Sequence, residues 1–367
     1  MGSSFSKLAD KSFIIGFLIP ALLFLAALRA AYGCPTWAAS VCAQASGDLF
    51  KDLTLFAVCV WILAVLLVAA NYVLYRVLEG YHLPRRWSVK LKQKWQTHVQ
   101  NLVDREDSLR NARNKDGSLK TQAELIAQRQ AASDIRWRRL REFPEKPTDA
   151  MATRFGNAVR AFELYSGAMY GASSIALWSL LLNVIPKEVG QRIDEARAQV
   201  DLFVNGCALA CTFAVISAVE SFLIAFETPK GGPATAVAQS AGLTTTAPNA
   251  WTAIIYALIS MLVAWLCSQL AVGRVDSWGA TVKGSFDCYL PALAAQLGYT
   301  LPASQAQRTA FWQGLSAQTV YRRLLIADEF WTRANPVSSV PLGARGNPGV
   351  PAPENHHPDD DENNNHN

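Results

Sequence analysis

Apolar residues are gathered along this chain in long blocks, and charged residues fill the gaps between them. Three blocks stand out: "FIIGFLIPALLFLAAL" (13–28), "LTLFAVCVWILAVLLVAANYVLY" (53–75) and "WTAIIYALISMLVAWLCSQLAV" (251–272). A fourth, "LFVNGCALACTFAVISAVESFLIAF" (202–226), is more polar and contains Glu220. A helix needs about 20 apolar residues, rising about 1.5 Å each, to cross the hydrocarbon of a bilayer. The last three blocks meet that length, and the first reaches it when Lys11 and Arg29 extend toward the headgroups. The pattern therefore predicts four transmembrane helices, at about 12–31, 53–75, 202–226 and 251–272.

The first block also has the charged start and apolar core of a signal peptide. "RAAYGC" after it is a poor cleavage site, and Tyr32 is too bulky for a lipoprotein signal at Cys34. A retained span is the better reading. "MGSSFS" matches a myristoylation pattern, but nothing else in the sequence supports that modification, so an unmodified polar start is expected.

Charge then orients the spans. Residues 76–160 contain 19 Lys/Arg against 10 Asp/Glu, with "LPRRWSVKLKQKW" directly after the second block. Basic residues close to a span resist translocation, so this segment is expected on the cytoplasmic side of a bacterial inner membrane. The uncharged run "GAMYGASSIALWSLLLNVI" (167–185) is long enough to cross. If it did, the chain after it would invert. Its Gly, Ser and Asn residues weaken its transfer into lipid, and Tyr170 and Trp178 suit a headgroup-level site. Leaving the run on the cytoplasmic side puts the near-uncharged 227–250 segment outside and Arg274, Lys283, Arg322 and Arg323 inside. Four spans with both termini cytoplasmic follow.

Within the insert, Trp87, Leu91, Trp95, Val99 and Leu102 recur at helical spacing. "KDGS" (115–118) reads as a turn, and Thr121 with Glu124 as a capping box that opens a second helix. The pair predicts an α-hairpin ended by Pro144 and Pro147. Next comes "PTDAMATRFGNAVRAFELYSGAMYG". Its Pro147 and Thr148, Arg154, Gly156 and Asn157, Arg160 and Glu163, Tyr170 and Gly171, and later Trp178, resemble a pattern in uncharacterised bacterial multi-pass membrane proteins. Extra residues between Thr148 and Arg154 depart from it. The resemblance covers roughly residues 145–330. It implies that 167–185 does not span, and it implies no activity. Arg154, Asn157, Arg160 and Glu163 are a candidate polar binding patch; a helix-packing network is the plainer reading.

Glu220 is the sharpest single residue, because an ionisable group inside a span commonly faces a partner or a water-filled cavity. With Asn205 on the same helix it forms a candidate pore or proton site. Its place two turns from the outer end also allows it to reach the headgroups. Gly206, Ala210, Ala214 and Ala218 make a small-residue face for close helix packing. Cys207 and Cys211 lie beside it without a His or acidic partner, so packing is expected there. Cys34 and Cys42 fall in the outer loop, where a disulfide is chemically allowed. Two amphipathic helices are expected after the last span, the second opened by Ser304 and Gln307. The Pro/Gly-rich 334–367 tail, ending "ENHHPDDDENNNHN", reads as a disordered acidic terminus.

Composition fits this reading: 51% of residues are hydrophobic and 17% charged, with a formal charge of +5 and a mean hydropathy of +0.11. No HExxH, paired CxxC, P-loop or GxSxG occurs, so neither catalysis nor a cofactor or metal is expected. The basic insert lies against the bilayer, where anionic lipid headgroups are a simpler counterion than nucleic acid. The expected architecture is all-α. A transmembrane hairpin (1–76) is followed by a cytoplasmic helical insert (77–200), a second hairpin (201–273), cytoplasmic helices (274–333) and the tail. Two functions suit it. One is a membrane scaffold or signalling component whose cytoplasmic module binds a protein partner. The other is a homo-oligomeric channel or pore-forming effector gated from the cytoplasm.

Overall fold

The computed structural model describes residues 11–32, 49–110, 121–226 and 250–322, and among them every element is helical. Four helices are long and apolar enough to cross a membrane: α1 (Lys11–Tyr32), α2 (Leu49–Leu78), α8 (Lys187–Phe226) and α9 (Ala250–Gln296). Between them lie α3 (Arg85–Arg110), α4 (Gln122–Glu142), α5 (Arg154–Glu163), α6 (Tyr165–Tyr170) and α7 (Ser174–Leu181), and α10 (Gln305–Tyr321) follows. The proposed Cys34–Cys42 bridge and the acidic tail lie outside the described residues.

The apolar stretches pack through small contacts. Phe13, Ala21, Val60, Ala64, Leu67 and Leu209 join α1, α2 and α8. The expected small-residue face does bring α8 and α9 together: Cys207, Ala210 and Ala264 are buried between them, and a Cβ on Gly206 would lie 3.3 Å from Cys267 Sγ. Leu23, Leu66 and Leu258 are each about three-fifths exposed, an outward apolar surface of the kind that membrane-spanning helices present.

Helices α8 and α9 contain 40 and 47 residues, or about 60 and 70 Å of helix. Roughly half of each is the apolar block; the rest continues unbroken beyond it. The boundaries expected at 200/201 and 273/274 therefore fall inside helices, and "SWGATVKGSFDCYLPALAAQ" is the second half of α9, not a separate element. Even Pro291 does not stop it. The polar halves form the spine of the module. Val200, Val275, Val282, Phe286 and Leu293 are buried there with Phe155, Phe162, Leu177 and Leu181 of α5 and α7, and with Phe311, Trp312 and Leu315 of α10. Gly279 admits Phe162, whose ring would stand about 3 Å from any added Cβ.

The 167–185 run does not form one helix. Gly171 ends α6 at φ +78, with Thr309 O only 2.7 Å from where a Cβ would be. Ser173 then caps α7 by accepting from Ala176 N, and α7 stops after eight residues. Neither piece is long enough to cross a bilayer. Tyr170 and Trp178 are in the module rather than a headgroup belt: Tyr170 Oη donates to Asp287 at 2.7 Å, and the Trp178 ring lies 6.0 Å from Phe286.

The expected α-hairpin is α3–α4. Thr121 N donates to Glu124 Oε2 at 2.8 Å and Thr121 Oγ1 accepts from Glu124 N, completing the capping box. Val99 and Ala132 are buried, and Trp95 stacks near Phe143. Trp87 is off the stripe, two-thirds exposed. Inside the hairpin Arg139 pairs with Glu106 at 3.2 Å and donates to Glu145 O. Arg141 ties the hairpin to Asp276 of α9 at 3.1 Å.

Candidate functional site

A buried polar cluster sits where the apolar halves of α1, α2 and α8 give way to the module. Its centre is Asp201, on the residue just before the fourth apolar block. One carboxylate oxygen, Oδ1, accepts from Tyr75 Oη at 2.8 Å and from Asn71 Nδ2 at 3.2 Å. The other, Oδ2, is 3.9 Å from Arg197 Nε, beyond hydrogen-bond reach. Arg197 is half exposed whereas Asp201 is only 5% exposed, so the guanidinium compensates the carboxylate at a distance.

One turn along α8, Asn205 is completely buried and donates through Nδ2 to Gly16 O at 2.8 Å. Gly16 lies in a π-helical turn, Ile14–Leu18, that widens α1. Such turns break the regular ladder and leave a carbonyl for an outside donor. Glycine eases the close approach: an added Cβ would stand 3.1 Å from Asp201 Cβ. The cluster also touches the module, because the Tyr75 ring packs edge-on against Phe155 at 5.6 Å and against Trp278 at 6.4 Å.

The sequence-derived candidates distribute differently from expectation. Asn205 is in this cluster, bonded to a backbone carbonyl. Glu220 is not: it lies exposed, fifteen residues further along α8, or about 22 Å away. The two do not form one pore or proton site. In the candidate polar patch, Asn157 is fully buried. It accepts from Met151 N at 2.7 Å and donates to Met151 O and Thr153 O, so it fastens the loop before α5. Arg154 bridges Glu142 of α4 and Gln269 of α9. Arg160 and Glu163 pair at 3.4 Å on the half-buried face of α5. Asn157 thus does packing work, Arg154 ties α5 to α4 and α9 from an exposed position, and the Arg160–Glu163 pair is half buried.

That pair has a neighbour the sequence did not single out. Glu79, in the turn after α2, is pushed up to about 7 by burial and then by the adjacent Glu163 carboxylate, with Arg76 and Arg160 pulling it partly back. Burial also raises Glu163, against the pull of Arg160. The turn is held by Thr153, whose hydroxyl donates to Leu78 O at 2.6 Å, and by Gly80 at φ +89.

Asp201, Asn71 and Tyr75 were missed for separable reasons. Asn71 and Tyr75 are single polar positions inside an apolar block, and Asp201 was assigned to a boundary. The available signal was spacing: Asn71 and Tyr75 are one turn apart, as are Arg197, Asp201 and Asn205, so each set shares a helix face. Among the described residues no group of three or more His, Cys, Asp and Glu is placed to hold a metal ion. Comparison with protein-family models, curated proteins and solved structures gives no match for this chain.

Proposed function

We propose that this protein is a membrane-anchored scaffold or signalling component, with the helical module on the cytoplasmic side of the bacterial inner membrane as the docking element for a protein partner. The observation that carries the reading is the continuity of α8 and α9, which run from the apolar layer into the module core without a hinge. A flexible linker would serve to tether a module; two packed helices serve to fix its position and orientation. The module also presents large apolar side chains on three mutually packed helices: Met169 on α6, Ile175 on α7, and Val320 and Tyr321 on α10, each more than half exposed. The basic start of α3, with Arg85, Arg86 and Lys90 exposed beside Trp87, suits anionic lipid headgroups.

The test uses the full-length protein in its own membrane, with a photo-reactive residue at position 175. The reading requires crosslinking to one protein, and stoichiometric co-purification that Ile175→Asp abolishes. Crosslinks to lipid alone, or none, would remove it. A C-terminal reporter answering from outside the cytoplasm would overturn the orientation. The alternative, an oligomeric channel, loses its Asn205–Glu220 site, because Asn205 lies in the buried cluster and Glu220 outside it. Ion flux through liposomes that Glu220→Gln alters would revive it.

A further inference from the structure

The Asp201 cluster has more acceptors than donors. Asn71 Oδ1 and Asn205 Oδ1 are both buried and both lack a hydrogen-bond partner, in residues 8% and 0% exposed. Asp201 Oδ2 has only the long contact to Arg197. Such groups are rarely left empty in a folded protein, and each that is costs free energy. They also converge. Asp201 and Asn205 are one turn apart on α8, Asn71 is bonded to Asp201, and Gly16 is bonded to Asn205 while its backbone abuts Asp201.

What could serve three oxygen acceptors together? A proton on the carboxylate serves one, and a water molecule can serve the other two by donating both its hydrogens. A cation serves all three. The donors are hard oxygens without sulfur or imidazole, which selects hard ions. A single carboxylate, partly offset by Arg197, favours one positive charge over two. We propose that this cluster is a sodium-binding site, in which Asp201 Oδ2, Asn71 Oδ1 and Asn205 Oδ1 ligate a dehydrated Na⁺ between α1, α2 and α8. The π turn of α1 contributes by lending the Gly16 carbonyl to Asn205 Nδ2, which holds that amide with its oxygen toward the site. Irregular backbone beside an ion is a recurring way of building such sites at membrane depth. Tyr75 makes the site a link as well, since it holds Asp201 with its hydroxyl and the module's Phe155 and Trp278 with its ring.

The experiment uses the full chain, purified in choline chloride and titrated with NaCl at constant ionic strength, with KCl as the second arm. Radiolabelled Na⁺ binding should saturate at one ion per chain, and the thermal unfolding midpoint should rise by several degrees in parallel. Asp201→Asn should weaken binding at least tenfold. Should that variant fail to fold, Asn71→Ser keeps the test, with binding reduced and the fold retained. Glu220→Gln should leave both readouts unchanged. The same midpoint in choline and in sodium would overturn the proposal, as would binding that survives both Asp201→Asn and Asn71→Ser. Equal response to potassium would overturn the assignment to sodium.

Discussion

Gly156→Ala tests the seam between α2 and the module with one added carbon. At that position the new Cβ would meet Glu79 O at 2.7 Å, Thr153 Oγ1 at 3.0 Å and Glu79 Cα at 3.1 Å. Comfortable contact needs about 3.5 Å, so the turn after α2 must retreat by about 0.5–1 Å. Two of the three obstacles are backbone and cannot swing aside. Overpacking of this kind costs about 1–3 kcal/mol. The shift also strains Thr153, which caps α5 by accepting from Gly156 N at 3.0 Å and fastens α2 by donating to Leu78 O; losing a cap costs about 1 kcal/mol. Alanine returns about 1 kcal/mol of helix preference. The net expectation is destabilisation by about 1–3 kcal/mol, read as a fall in the unfolding midpoint of roughly 2–8 °C. The control is Gly190→Ala in α8, where nothing lies within 4 Å of the new atom. There only the helix term remains, and the midpoint should rise by up to about 1 kcal/mol equivalent. Circular dichroism melts of both variants in the same detergent decide it. Equal shifts would refute the claim that α5 is seated on the end of α2.

Stability should depend on pH through Glu79. Its carboxyl is raised from 4.5 to about 7 in the fold, so the native state holds a proton that the unfolded chain has released. Stability is then greatest below about pH 4.5, falls as pH rises toward 7, and levels above it; melts of Glu79→Gln across this range should show a smaller fall. Glu106→Gln removes the carboxylate facing buried Arg139. It should cost about 3 kcal/mol, seen as faster hydrogen exchange in α3 and α4 with little change in α8. Thr121→Ala should remove the capping box and cost about 1 kcal/mol, with exchange accelerated only in the first turn of α4.

Much of the architecture is legible in the sequence because the bilayer imposes a length on each apolar block. The interruption of 167–185 is not part of the sequence reading, which treats the run as one helix; Gly171 and Ser173 carry the break. What hid was continuity. The segment "KEVGQRIDEARAQVD" before the fourth block is polar on most faces, so hydropathy draws a domain line at Asp201 where the backbone runs straight on. A boundary residue drew no attention as a site, although burial at that boundary is what gives its carboxylate a role. Glu220 misled for the opposite reason: a charge within an apolar block is conspicuous, but only the packing tells whether it faces helices or lipid. The π turn has no readable signature beyond Gly16, and the need for it appears only once α8 is placed against α1.

Two rods shared by the apolar layer and the module have a mechanical corollary. Transmembrane helices tilt to fit the thickness of the bilayer around them. The part of α9 beyond residue 273 is about 35 Å long, so a change in tilt of about 10° swings its far tip sideways by about 6 Å, the width of a side chain and more. On the proposed reading, a partner docked on α7 and α10 would ride on a pointer whose pivot is the lipid, and stretching or thinning the membrane would be felt there as displacement.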